Sequence, residues 1–138
     1  HLEPRTMQNS PMEGQVSGQV RDFLQERVSA VRARGVSAER IALDPGIGFG
    51  KTVPQNFELL KNQADLVELG YPLLVGWSRK SSLAAVAPDG MLAATTGSHP
   101  RMLPSVVAAV LAAERGARIL RVHDVAETVH ALKILNAI

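Results

Sequence analysis

Three polar clusters carry side chains that could do chemistry: Asp44-Pro-Gly-Ile-Gly-Phe-Gly-Lys51, Gly76-Trp-Ser-Arg-Lys-Ser81 and Arg121-Val-His-Asp124. The first sets a carboxylate beside the alternating glycines Gly46, Gly48 and Gly50, which let a backbone approach a ligand closely. Phe49 sits among them, where a bulky apolar residue gains little unless it covers something. The run is not a P-loop, because four residues do not separate a first glycine from the Gly50-Lys51-Thr52 ending. The second cluster puts Arg79 and Lys80 beside the hydroxyls of Ser78 and Ser81, a set suited to anions or carbonyl-rich heterocycles. Trp77 reads as a core or rim packing residue. In the third cluster, strand alternation points Arg121 and His123 to one face and Val122 to the helices. Two donors side by side at a strand mouth suggest phosphate or pyrophosphate, since an inward Arg is costly without an anionic partner. Asp124 reads as a helix cap rather than a catalytic acid, and with Glu127 it approaches a capping box. His99 and His130 read as surface residues, and no metal-ligand spacing links them.

Each cluster follows a short apolar, strand-like run: Ile41–Leu43, Pro72–Val75 and Ile119–Val122. A helical pattern precedes the first run, with Val16, Val20, Phe23, Leu24, Val28 and Val31 at helical spacing and a stop at Gly35. A second helix starts at Pro54, with Phe57, Leu60, Ala64 and Val67 on one face, and ends at Gly70. A third, over Leu103–Arg115, is apolar nearly all round and is expected to be buried, with Gly116 as its stop. Val125, Val129, Leu132 and Leu135 line one side of the last helix. Gly76–Ser82 reads as a turn, and residues 87–101 as a loop with a helical turn near Met91–Ala94.

Helix followed by repeated strand–helix units predicts an α/β protein with parallel strands and right-handed crossovers. The carboxyl ends of such strands share one face, so clusters far apart in sequence can converge on one ligand. Three strands leave two sheet edges bare, which reads as part of a larger sheet or barrel and predicts self-association, element exchange or poor solubility. The 138 residues fall short of the ~250 typical of a complete (β/α)8 barrel.

Bulk composition excludes several classes. A net charge of +2 and few aromatics argue against a nucleic-acid partner. No apolar run approaches the ~18 residues of a membrane helix, and no secretory signal opens the chain. The absence of Cys removes disulfides and thiolate chemistry and fits a cytoplasmic protein. Residues 1–14 read as a loop, of which His1-Leu2-Glu3 resembles a cloning remnant, and residues 15–138 as the folded part.

Taken in order, Leu43–Lys51, Leu74–Ser81 and Gly116–Val125 resemble the dihydropteroate synthases, a pterin-binding barrel family, and Glu3-Pro-Arg-Thr-Met-Gln8 resembles the loop after that family's fifth strand. The resemblance implies the C-terminal part of a (β/α)8 TIM barrel: about three parallel strands, corresponding to strands six to eight, with flanking helices. It implies a transferase of folate biosynthesis that condenses a pterin pyrophosphate with p-aminobenzoate and releases pyrophosphate. The isolated chain would be inactive for want of the N-terminal half.

In this family reading Asp44 accepts hydrogen bonds from the pterin, Phe49 and Gly48 line the pterin and p-aminobenzoate pocket, and Lys80 donates to the pterin while its stem packs on p-aminobenzoate. Ser78, with Arg79 beside it, meets the p-aminobenzoate carboxylate, and Arg121 and His123 bind the pyrophosphate. Lys80, Arg121 and His123 are then the catalytic set. Magnesium enters through the substrate pyrophosphate, with no protein metal site in this chain. Sulfonamide-type analogues and a homo-oligomer are the further partners implied; nucleic acid and membrane are not.

The chain departs from the family at Gln55-Asn56, where His-Asn is usual, at Pro104-Ser105, where Gly-Ser is usual, and in a longer loop at 83–100. Two other readings stay open: a pterin- or phosphate-binding module, and a pterin-dependent methyltransferase domain.

Overall fold

The computed structural model describes residues 12–87 and 98–138. Within them the order is α1 (Val16–Arg32), a 3-10 turn (Ala38–Arg40), α2 (Val53–Lys61), α3 (Gln63–Val67), β1 (Leu74–Val75), α4 (Ser81–Val86), α5 (Met102–Glu114), β2 (Ile119–Leu120) and α6 (Val125–Leu135). The motif at Glu3–Gln8 and the helical turn near Met91–Ala94 lie outside the described residues.

Three parallel strands were expected; the described residues form two, plus a bridge. β1 and β2 pair in parallel, Leu74 opposite Ile119 and Val75 opposite Leu120. On the other edge of β1, Leu43 makes a single parallel bridge to Leu73, its N–H donating to the Pro72 carbonyl at 2.9 Å and its carbonyl accepting from Leu74 N–H at 2.7 Å. The pairing stops there for a local reason. Pro45 has no N–H to donate, and the Asp44 carboxylate accepts from the Gly46 N–H at 2.8 Å, which turns the chain out of line. The turn after β1 is also shorter than expected: it closes at Lys80, and α4 begins at Ser81.

Leu43, Leu73 and Val75 point to the helices and are buried, with Leu59, Leu66, Trp77, Ala108 and Ala112. Leu74, between two fully buried neighbours, is only half-buried, and Ile119 opposite it is 40% exposed, so the other face of the sheet stays open. That open face carries the strand ends described below.

The helix stops at Gly35, Gly70 and Gly116 hold, each glycine standing at positive φ. The buried stripes of the helices differ from expectation in instructive ways. Along α2 and α3 it runs through Asn56, Leu59, Leu60, Gln63 and Leu66, whereas Ala64 is exposed and Phe57 and Val67 are half-buried. Two polar residues take core positions because their amides are satisfied. Gln63 Nε2 donates to the carbonyls of Ala112 at 2.7 Å and Arg115 at 3.1 Å, closing the C-terminus of α5. α1 buries Val16, Val20, Leu24 and Val28 but leaves Phe23 and Val31 exposed, the former beneath the Arg27 guanidinium. α5 was expected to be buried all round; it exposes Leu103 and Val107, which with Phe57, Leu83, Val86 and Leu111 border an apolar groove of about 300 Å³. α6 buries Thr128 and half-buries Leu132 and Leu135, while Val125 and Val129 face outward.

Caps come from neighbours as often as from the local sequence. Thr52 and Gln55 form a capping box at α2. The first turn of α1 is served across the fold: Ser17 N–H and Oγ each donate to Glu58 Oε1 at 2.9 Å.

Candidate functional site

The glycine-rich turn after Leu43 is held from inside. Lys51 Nζ donates to the carbonyls of Gly46 and Phe49, both at 3.0 Å, and the buried Asn56 Oδ1 accepts the Gly48 N–H at 2.7 Å. Asn56 Nδ2 also donates to the Thr52 carbonyl at 2.9 Å and to Ser82 Oγ at 3.1 Å. One amide thus ties the first cluster to the helix that follows the second. In the sequence Asn56 stands out only as a polar residue in the apolar stripe of a helix, beside Gln55.

Phe49, so braced, is 48% exposed, and Lys80 Nζ lies 4.3 Å from its ring centroid, a cation–π contact. Gly48 makes this possible: at φ +80° a side chain is disfavoured, and a Cβ there would sit 3.1 Å from Lys80 Cδ. Burial pushes the Lys80 ammonium below the usual lysine range, the Arg121 cation pushes it further, and the Asp44 carboxylate opposes both. Lys51 is lowered in the same way, first by burial and then by Lys80, again against Asp44.

Arg121 crosses the next strand. A Cβ on Gly76 would stand 2.6 Å from Arg121 Nη2 and 3.0 Å from its Cζ, so the guanidinium occupies the space that a side chain at 76 would take. Arg121 and His123 are both exposed and Val122 between them is half-buried, as strand alternation requires. His123 is held by the turn after β1: Ser78 Oγ accepts the His123 N–H at 3.1 Å and lies 2.8 Å from Nδ1. Ser78 itself is 8% exposed.

The structure gives Asp124 a different task from the expected cap. It occupies the N-cap position of α6 without a side-chain capping bond. Its carboxylate instead takes a two-point contact from Arg79, with Nη2 to Oδ1 at 2.7 Å and Nε to Oδ2 at 3.3 Å. The Arg79 guanidinium holds the Asp124 carboxyl below its usual range. Arg79 has φ +59°, alone among the described non-glycine residues. Its main chain is clamped by α5: Ser105 Oγ accepts the Arg79 N–H at 2.8 Å, and Arg101 Nη1 donates to its carbonyl at 3.2 Å. Pro104 does not disturb α5, since it stands in the first turn, where N–H groups have no helical acceptor. Trp77 is buried against Phe57, with ring centroids 5.3 Å apart, in the packing role expected of it.

One end of the sheet therefore gathers Asp44, Phe49, Lys80, Arg121 and His123, with Lys51 and Ser78 behind them. Arg79 is neutralised by Asp124, which leaves Lys51, Lys80 and Arg121 as cations around one carboxylate, Asp44. Such a set can hold an anion beside a flat, hydrogen-bonding ring system. Beside Asp44, Phe49 and Lys51, a cleft of about 460 Å³ opens toward Val20, Phe23 and Leu24 of α1. Among the described residues no group of three or more His, Cys, Asp or Glu could hold a metal ion, and no helix is long and apolar enough to cross a membrane.

Comparison with known proteins gives these strand ends a context. The family model for pterin-binding enzymes matches residues 1–123. A dihydropteroate synthase from Haemophilus influenzae is 40% identical over 135 residues, which is 98% of this chain and 46% of that protein. The dihydropteroate synthase from Xanthomonas albilineans, solved in complex with 7,8-dihydropteroate, superposes with a TM-score of 0.81 at 43% identity over 92% of this chain and 46% of its own. That of Yersinia pestis, solved as a sulfonamide drug complex, superposes with a TM-score of 0.86 at 37% identity over 99% of this chain and 47% of its own. The chain spans about half the length of the curated relatives it matches.

Proposed function

Since the chain belongs to the pterin-binding enzymes, we propose that residues 15–138 form the C-terminal part of a (β/α)8 barrel that condenses a pterin pyrophosphate with p-aminobenzoate. The observation that carries this reading is the convergence of Lys80 on Phe49 and Gly48, with Arg121 laid across Gly76 on the same open face.

Each residue then has a task that its surroundings permit. Asp44 accepts from the amino and ring N–H groups of the pterin, and Lys51 keeps the glycine-rich turn in place beneath it. Phe49 and Gly48 wall the ring pocket. Lys80 donates to the pterin, and its stem lies against the p-aminobenzoate. Arg121 and His123 bind the pyrophosphate. As the carbon–oxygen bond to pyrophosphate breaks, negative charge grows on the leaving group and positive charge on the pterin methylene. The arylamine nitrogen then forms the new bond and loses its proton. Arg121 and His123 act by stabilising the leaving group, and the Asp44–Phe49–Lys80 wall by holding the cation beside the amine. No side-chain nucleophile is required.

Magnesium belongs to this scheme as part of the substrate, bound to pyrophosphate oxygens, to which the site offers cationic donors. Sulfonamides would compete for the p-aminobenzoate position, and a cytoplasmic homo-oligomer completes the reading.

The test is ligand-induced stabilisation of the chain by a pterin and by pyrophosphate, measured separately. At a concentration 100 times the dissociation constant each ligand should add about 2.7 kcal/mol. Asp44→Asn should abolish the pterin effect alone and Arg121→Ala the pyrophosphate effect alone. Absence of both effects in the unaltered chain would refute the proposal.

A further inference from the structure

Two crosslinks join the segment after β1 to the segment after β2, one residue apart. Ser78 meets His123, and Arg79 meets Asp124. The first bears on the state of the imidazole. A serine hydroxyl has one hydrogen and two lone pairs. In Ser78 one lone pair accepts the His123 main-chain N–H at 3.1 Å; Nδ1, at 2.8 Å, is the one acceptor Oγ meets among the described residues, so the hydroxyl hydrogen is assigned to it. We infer that Ser78 is a positioning residue for His123, holding the neutral imidazole with its proton on Nε2 so that this N–H is offered to the pyrophosphate.

An imidazole nitrogen that accepts a hydrogen bond cannot also carry the proton, so a donor hydroxyl at Nδ1 selects the Nε2–H form. His123 is exposed, so that N–H is accessible to a ligand at the strand mouth. The geometry is fixed from both sides. Ser78 is 8% exposed, and the neighbouring Arg79 is pinned at φ +59° through its N–H to Ser105, its carbonyl to Arg101 and its guanidinium to Asp124. This backbone conformation is uncommon outside glycine and persists where the surroundings over-determine it. The Ser78 hydroxyl is thus engaged with His123.

The inference rests on the proposed pyrophosphate role of His123, and the experiment separates the two. The ring nitrogens of His123 are observed by long-range proton–nitrogen NMR of the full chain at about pH 8.5, above the usual histidine range, with assignment from a His123→Gln variant. The expected spectrum has a protonated Nε2 and an accepting Nδ1. In Ser78→Ala the two nitrogen shifts should converge as the forms exchange, and Ser78→Thr, which keeps the hydroxyl, should restore the original pattern. Inorganic pyrophosphate should bind Ser78→Ala about five- to tenfold more weakly, the equivalent of one lost hydrogen bond, and Ser78→Thr nearly normally. A proton on Nδ1 in the unaltered chain, or a Ser78→Ala spectrum identical to it, overturns the inference, and the first needs no variant to fold. Unchanged pyrophosphate affinity in Ser78→Ala overturns the positioning role. Failure of the unaltered chain to bind pyrophosphate, with the expected spectrum, sinks the pyrophosphate reading while the tautomer assignment stands.

Discussion

Gly76→Ala separates the site from the fold more sharply than any other single change. The new methyl would stand 2.6 Å from Arg121 Nη2, closer than carbon tolerates, and 3.0 Å from Cζ and 3.2 Å from Nε, both tight contacts. What it meets is the far end of a flexible side chain, so the guanidinium swings away and the backbone stays. Arg121 is exposed and no salt bridge holds it among the described residues, so its movement breaks little. Gly76 is itself buried, but beneath a side chain that can move away, so stability should fall by less than about 1 kcal/mol, with loss of glycine flexibility in the unfolded chain offsetting part of the cost.

Binding should behave differently. An arginine–phosphate contact is a charge-assisted hydrogen bond, worth about 1.5–3 kcal/mol, so losing it weakens pyrophosphate by roughly ten- to 150-fold. Calorimetric titration with pyrophosphate and urea unfolding, on the unaltered chain, Gly76→Ala, Arg121→Ala and the double variant, measure both. The double variant should bind no more weakly than Arg121→Ala alone, because both changes remove one contact. Wild-type pyrophosphate affinity in Gly76→Ala would show that Arg121 does not hold pyrophosphate, and a fall in stability above about 2 kcal/mol that its side chain cannot move aside.

Asn56→Ala should cost about 2–4 kcal/mol in urea unfolding, because a buried amide with three hydrogen bonds is removed; a cost under ~1 kcal/mol would mean that the loop and α4 are held otherwise. The acid limb of stability should reflect Asp124 and Glu58, whose carboxyls are lowered, the first chiefly by Arg79 and the second chiefly by the Ser17 N–H. A carboxyl with a folded-state pKa below its unfolded value stabilises fully above the unfolded value and loses that contribution as pH falls through the folded one. Asp124→Asn and Glu58→Gln should therefore be less stable than the unaltered chain at neutral pH, and the gap should close as pH falls below the ordinary carboxyl range of about 4; a gap that persists in acid would show that packing, not ionisation, is responsible.

The first and last helices, α5, the glycine stops and the meeting of the three clusters were legible because they follow from local pattern and parallel topology; the break at Asn62 that divides the expected Pro54–Gly70 helix into α2 and α3, and the short α4, were not. What escaped reading depended on contacts between distant segments. Asn56 and Gln63 occupy core positions that a hydrophobic pattern assigns to Phe57 and Ala64, because their amides find carbonyls and an N–H contributed by other elements. Asp124 has the type and place of a cap, yet Arg79, 45 residues away, takes its carboxylate. The Ile41–Leu43 run shrank to a bridge because Asp44 and Pro45 turn the chain at once. The apolar character of α5 was visible in its sequence, but Leu103 and Val107 are exposed along its groove.

The most direct test of the account is backbone amide NMR of the chain during titration with inorganic pyrophosphate. Saturable shifts confined to residues 76–80 and 121–124, and abolished by Arg121→Ala, are the expected result. Saturable shifts at the distant surface arginines Arg27, Arg32 and Arg115, with the strand ends unmoved, would contradict it.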